Sequence, residues 1–175
     1  GRPLRVSVWG AAASGKTTLG QRLARALGAQ YLELDAIHWG PGWTPISTEE
    51  FRARVAEVAA CDRWVIDGEY YRKVGDLVAG RADMVVWLDY GRPVLAWRLL
   101  RRTVGRVWRR QVLWNENREP PLRTFFTDRD HVVRWAWRTH GDNRARMRAI
   151  VAARPDLPVV RLRTAREVER WVAGP

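Results

Sequence analysis

Short continuous apolar runs alternate along this chain with segments whose apolar residues recur every three or four positions. The first run, Leu4 to Trp9, reads as a buried strand. It is followed by "KTTLGQRLARALG", with Leu19, Leu23 and Leu27 at i, i+4 and i+8, an amphipathic helix that Gly28 should stop. Residues 31–35, "YLELD", read as a second short strand ending in an acid, and "AIHWGPGWTPI" as a Gly/Pro/Trp loop. Ser47 and Glu50 form a capping box ahead of the helix "EEFRARVAEVAA". "RWVIDG" predicts a third strand, "YRKVGDLVAG" a short helix ending near Gly80, and "ADMVVWLDY" the strongest strand, apolar throughout as expected where both faces are covered. A helix rich in Trp, Leu and Arg runs from Pro93 to about Gly105, and residues 106–130 show little periodicity around "NENREPP". A long helix over roughly 131–153, a fifth strand in "LPVVRLRT" and a closing helix in "AREVERWV" complete the chain.

Strands alternating with helical segments predict an α/β protein, a parallel sheet covered on both faces and joined by right-handed crossovers. Ligands of such sheets bind beyond the carboxyl ends of the strands. Three acids are expected at or near those ends: Asp35, Asp67 and Asp89.

The turn after the first strand has the pattern G-x-x-x-x-G-K-[ST], met by Gly10, Gly15, Lys16 and Thr17. Backbone N–H groups of such a loop line a concave anion site, and the following helix directs its positive end at the phosphates. We expect a nucleoside triphosphate here, contacted by Gly10, Ala13, Ser14, Gly15, Lys16, Thr17 and Thr18. Lys16 would reach the β- and γ-phosphates, and the Thr17 hydroxyl would ligate Mg²⁺. Asp67, closing the strand expected beside the P-loop strand, would hold the metal's water shell. Asp35, nineteen residues after Lys16, would face the γ-phosphate and orient or deprotonate an acceptor hydroxyl. His38, Trp39 and Trp43 follow closely enough to wall that pocket. Asp89 reads equally as a turn residue. Among the arginines after the fourth strand, Arg98, Arg101 and Arg102 share one helix face, with Arg106, Arg109 and Arg110 beyond. Arg98 and Arg102 are the expected partners of charge developing during phosphoryl transfer.

Composition sharpens this only in places. A length of 175 residues fits a single domain. The net charge of +12 suits polyanionic partners, from nucleotides to nucleic acid; 29 of the 31 basic residues are arginines, only Lys16 and Lys73 being lysines. No run approaches the ~18 apolar residues of a membrane span. The chain opens directly on its first strand without a leader pattern, and the single cysteine, Cys61, suits a reducing cytoplasm, so a cytoplasmic protein without membrane contact is expected.

The segments "GAAASGKTTL", "ELDAIHWGPGW", "WVIDGEYY", "ADMVVWLD" and "LWNENRE" together resemble the P-loop kinases of adenylate-kinase-like fold, and among them the small proteins labelled adenylate-kinase-related or DNA-topology-modulation proteins. The resemblance runs over nearly the whole chain. It implies a three-layer α/β/α domain over residues 1–175, a five-stranded parallel sheet of order 2-3-1-4-5, a helical Arg-rich lid over 106–130, ATP and Mg²⁺ as cofactors, and a turn at Arg163 to Ala165 near the adenine. Two departures matter. Nucleoside monophosphate kinases carry an arginine where this chain has His38, and follow the third strand with D-G-F-P-R where it has "DGEYYR", placing Arg72 one position late. The acid followed by x-x-H looks instead like kinases of small hydroxyl metabolites such as gluconate kinases. Shikimate kinases and the chloramphenicol phosphotransferase also place an aspartate at this strand end. The leading expectation is therefore an ATP-dependent kinase of a small hydroxyl compound. A nucleoside monophosphate kinase, with Glu69, Tyr70 and Arg72 gripping the acceptor phosphate, is the second reading. A nucleic-acid-associated ATPase or regulator is the third.

Overall fold

The computed structural model describes residues 4–109 and 132–174. Five strands form one all-parallel sheet in the order β2-β3-β1-β4-β5: β1 Leu4–Gly10, β2 Gln30–Glu33, β3 Arg63–Asp67, β4 Met84–Leu88 and β5 Val159–Leu162. The helices are α1 Lys16–Leu27, α2 Leu34–His38, α3 Thr48–Ala59, α4 Tyr71–Val74, α5 Arg92–Trp108, α6 Val132–Ala153 and α7 Ala165–Ala173. This is the strand order expected of the P-loop kinase fold.

Alternation along the inner strands divides the core into two layers. Val6 and Val8 of β1, Val65 of β3 and Val86 and Leu88 of β4 pack with Leu19 and Ala24 of α1 and Val168 of α7. The intervening residues face the other way. Trp64 and Ile66 join Phe51 and Val55 of α3, while Trp9, Val85 and Trp87 join Met147 and Ile150 of α6. The expected local signals hold. Ser47 Oγ accepts from the Glu50 N–H at 3.1 Å, and Gly28 ends α1 at φ 57°.

The second strand is shorter than its sequence predicts. Its last ladder pair is Glu33 with Asp67, after which Gly68 turns β3 aside at φ +114°. Residues 34 and 35 have no ladder partner, so the chain winds into α2, burying Leu34 in the Phe51 cluster. Asp35 therefore stands in the first turn of a short helix, and the acid that ends the strand is Glu33. The expected Gly/Pro/Trp loop accordingly contains α2 and a single 3-10 turn at Pro41–Trp43. Helix α5 continues past Gly105 to Trp108; most of the lid expected over 106–130, with "LWNENRE", lies outside the described residues. Among the described residues no helix is long and apolar enough to cross a membrane.

Asp89, just past β4, ties this edge together. Its 4% exposed side chain accepts from Arg144 Nε of α6 at 2.8 Å and from Arg161 Nε of β5 at 2.7 Å. Arg161 also lies over the Trp87 ring, 4.8 Å from its centroid. Of the two readings of Asp89, this geometry bears out the structural one. Asp89→Ala leaves two cations facing each other at the sheet edge. Because both arginines reach water, we expect a loss of about 2–3 kcal/mol, at or below the lower end for fully buried pairs, read as a lower urea midpoint at unchanged m-value.

Candidate functional site

The five residues between β1 and α1 curl into an anion cradle. Ser14 N–H donates to the Ala11 carbonyl at 3.1 Å, while Ala13 and Gly15 take positive φ of 63° and 91°. Such mixed-handed turns point successive N–H groups into one concavity. Gly10 is required by close approach: a Cβ there would lie 2.3 Å from Ser14 Oγ and 3.2 Å from Leu88 Cβ. Ser14 Oγ is buried with no partner among the described residues. Arg98 braces the loop from outside, donating to the Ser14 carbonyl at 3.4 Å from above the Tyr90 ring.

Two carboxylates meet the start of α1. Asp67 pairs in register with Val8 of β1 and is fully buried. Tyr31 donates its hydroxyl to Asp67 Oδ2, whereas Oδ1 is buried without a partner among the described residues. Burial pushes the Asp67 carboxyl up to about 6, against the pull of the Tyr31 hydrogen bond and of Lys16. Thr17 donates its hydroxyl to Glu33 Oε1 at 3.3 Å, which leaves the Thr17 oxygen lone pairs available to a cation. Among the described residues no group of three or more His, Cys, Asp or Glu forms a metal cluster. The orphaned Asp67 oxygen, on the strand next to the P-loop strand, instead fits a divalent ion arriving with its phosphates, as Mg²⁺ does.

Asp35 stands on the opposite side of Lys16, its Oδ2 3.7 Å from Nζ and its Oδ1 accepting from the Tyr70 hydroxyl at 2.6 Å. The Tyr70 ring is wedged against Phe51 and His38, with centroids 5.2 and 4.6 Å away. His38 is 7% exposed and also meets Trp39 edge-on at 4.7 Å. Burial, with Lys73 nearby, lowers the His38 pKa, keeping the imidazole neutral at pH 7. Trp39 and Trp43 meet edge to face at 5.9 Å. Trp43 adopts φ 57°, a backbone state that for a bulky residue stores on the order of 1–3 kcal/mol and is typical of ligand-facing loops.

These groups share a cleft of about 910 Å³ at the carboxyl edge of the sheet. Of the predicted residues, Gly10, Lys16, Asp35, His38, Trp39, Trp43, Glu69, Tyr70 and Arg102 line it. Arg106 does too, whereas Arg101 is exposed on the outer side of α5. Three expected contacts do not line it. Arg98 donates to the Ser14 carbonyl of the P-loop, Arg72 is exposed on α4, and Arg163 is exposed in the expected turn after β5 with its N–H on Glu167. Thr18 is exposed in the first turn of α1. Arg109 is exposed at the end of α5, and Arg110 lies outside the described residues.

No family model matches the chain, and no curated protein matches it in sequence. Solved structures do match it in shape. A gluconokinase from Sinorhizobium meliloti 1021 superposes with TM-score 0.54 at 20% identity, covering 99% of this chain and 94% of that one. A shikimate kinase from Bacteroides thetaiotaomicron gives 0.54 at 18%, covering 97% and 94%. A sugar kinase from a Janibacter species gives 0.52 at 19%, covering 98% and 94%. The chain has the P-loop kinase fold.

Several residues at this site carry no sequence signal that singles them out. Tyr31 and Glu33 reach Asp67 and Thr17 because β2 lies beside β3; one acidic strand end was the only hint. Arg144, Arg146 and Trp135 come to the cleft from α6, far along the chain.

Asp67 makes a pH-dependent prediction. With a folded value near 6 above its ordinary 3.8, its contribution favours folding fully below pH 3.8 and is lost as pH rises through 6. In the ligand-free protein Asp67→Asn should therefore raise stability at pH 8 relative to pH 4, by on the order of 3 kcal/mol. Thermal melts of both proteins across that range test it; a difference independent of pH would remove the buried-charge argument.

Proposed function

We propose that this chain is an ATP-dependent phosphotransferase that moves the γ-phosphoryl group of ATP to a hydroxyl of a small molecule. One observation carries the reading. A carboxylate, Asp35, stands in the cleft 3.7 Å from the P-loop lysine, held by a tyrosine, and among the described residues a neutral histidine, His38, stands where monophosphate kinases carry a clamp arginine. Of the three groups that would form that clamp in a monophosphate kinase reading, two are otherwise engaged, Tyr70 with Asp35 and Glu69 with Arg146 at 3.3 Å, and the third, Arg72, is exposed on α4. The likeness of fold to the gluconokinase, shikimate kinase and sugar kinase supports the same class of reaction.

The division of labour follows from the positions. The loop from Gly10 to Thr17 would bind the triphosphate through backbone N–H groups and Lys16. Thr17 and Asp67 would hold Mg²⁺, which when bound neutralises charge on the β- and γ-phosphates. Asp35 would receive the proton of the acceptor hydroxyl as its oxygen bonds to the γ-phosphorus, and the bond to the β–γ bridging oxygen breaks to leave ADP. Tyr70 fixes the Asp35 carboxylate, and the neutral His38 with its aromatic neighbours excludes water. Arg102 and Arg106, entering from α5, would offset charge on the transferring group.

Lys16→Ala should abolish ADP release while leaving the melting curve nearly unchanged, because the side chain serves charge rather than packing. Asp35→Asn should lower kcat by roughly 10²-fold or more while the KM for ATP stays within about threefold. Equal losses in both constants would make Asp35 a structural residue.

A further inference from the structure

Resting on the phosphotransferase reading, we infer that the acceptor is an uncharged alcohol presenting a flat ring face, aromatic or alicyclic, and that the site selects against its carboxylate counterpart. Three observations on the acceptor side of Lys16 carry this. The first is the wall. His38, Trp39, Trp43 and Tyr70 line the cleft around Asp35 and interlock at centroid distances of 4.6 to 5.9 Å. Rigid rings so placed bury a ring face with little loss of side-chain freedom. Trp43 is held there in the left-handed backbone region, in a loop closed by Gly40 N–H to the Thr44 carbonyl at 2.7 Å and Ile46 N–H to the His38 carbonyl at 3.0 Å.

The second is the charge around it. Among the described residues, Lys16 and four arginines line the cleft against four carboxylates, a surplus of one positive charge before any ligand enters. A metal-bound triphosphate more than consumes that surplus. Two of the carboxylates, Asp35 and Glu69, stand beside the aromatic wall. The cation nearest Glu69 is Arg146, already engaged with Glu69 Oε2 at 3.3 Å, and Arg144 is engaged with Asp89. Among the described residues beside the wall, an acceptor carboxylate would thus meet like charge from Asp35 and Glu69 and arginines already engaged with carboxylates, which strongly disfavours it.

The third is His38. Its ring is kept neutral by burial, and its Nδ1 is buried without a partner among the described residues. A neutral ring adds no fixed charge to the wall, whereas an arginine at the same place would have offered one. Selectivity here is therefore built as much from what the site repels as from what it attracts.

The test is ADP release from ATP·Mg²⁺ with matched acceptors: glucose against glucuronate, and 4-nitrophenyl glucoside against 4-nitrophenyl glucuronide, with nucleoside monophosphates alongside. We expect kcat/KM to be highest for the aryl glucoside, and each acid to be worse than its neutral partner by about tenfold or more. Glu69→Gln is the second arm. It keeps an acceptor for the Tyr71 N–H, at 2.8 Å from Glu69 Oε1, but releases Arg146, so the acid-to-neutral ratio of kcat/KM should rise about tenfold while the melting point holds. Acids used as well as or better than their neutral partners by the unaltered protein would overturn the inference and leave the phosphotransferase standing. So would a ratio unmoved by Glu69→Gln. Turnover with monophosphates alone, or none with any acceptor while ATP still binds, would overturn both.

Discussion

Everything at this cleft depends on the position of β1 between two parallel neighbours. Val8 pairs with Asp67 on one side and Val86 on the other, so all three strands deliver their carboxyl ends to one edge. The chain can leave that edge only through a turn compact enough to start α1 directly above the sheet. Gly10 permits the close approach of Ser14, and Ala13 and Gly15 take the left-handed states that turn the loop's N–H groups inward. Gly20 shows how tightly the helix is then seated. A Cβ there would lie 2.8 Å from Tyr31 Cε2 and 3.4 Å from Asp67 Oδ2. The phosphate cradle, the buried aspartate and the docking of α1 are thus one packing solution.

That edge concentrates acidic groups, and the surroundings give them different characters. Asp89 is neutralised by two arginines from separate elements and has become part of the scaffold. Asp67 is withdrawn from solvent, with one oxygen on Tyr31 and the other unmet among the described residues, a costly arrangement unless a cation relieves it. Asp35 is 30% exposed at its side chain, held by Tyr70 and facing Lys16, and is the one that a ligand in the cleft reaches most directly. On the reading proposed above, the three correspond to framework, metal and acceptor, although they look alike as residues near strand ends.

The strands, the main helices and the α1 cap are legible in the sequence because local chemistry dictates them, whereas the strand order is implied only by the family resemblance. Apolar runs bounded by Gly, the G-x-x-x-x-G-K-T turn and the Ser47/Glu50 box each act within a few residues. What is not legible depends on partners elsewhere. The end of β2 is set by where β3 turns away at Gly68, so Glu33 takes the strand-end position that spacing alone assigns to Asp35. Arg98 is held by the Tyr90 ring and the Ser14 carbonyl, a contact across 84 residues of chain that its helix-face spacing does not reveal. The pairing of Tyr70 with Asp35 is likewise invisible without the fold.

The two departures from the monophosphate-kinase pattern meet in one patch of packing. The His38 ring lies among Trp39, Phe51 and Tyr70, where burial and the nearby Lys73 keep it neutral against the opposite pull of Asp35. Tyr70, stacked on that ring, donates its hydroxyl to Asp35, and α4 starts at the next residue with Arg72 exposed to solvent. The aromatic wall and the outward arginine are therefore joined through one side chain, because the ring of Tyr70 is fixed from both His38 and Asp35 just before α4 begins.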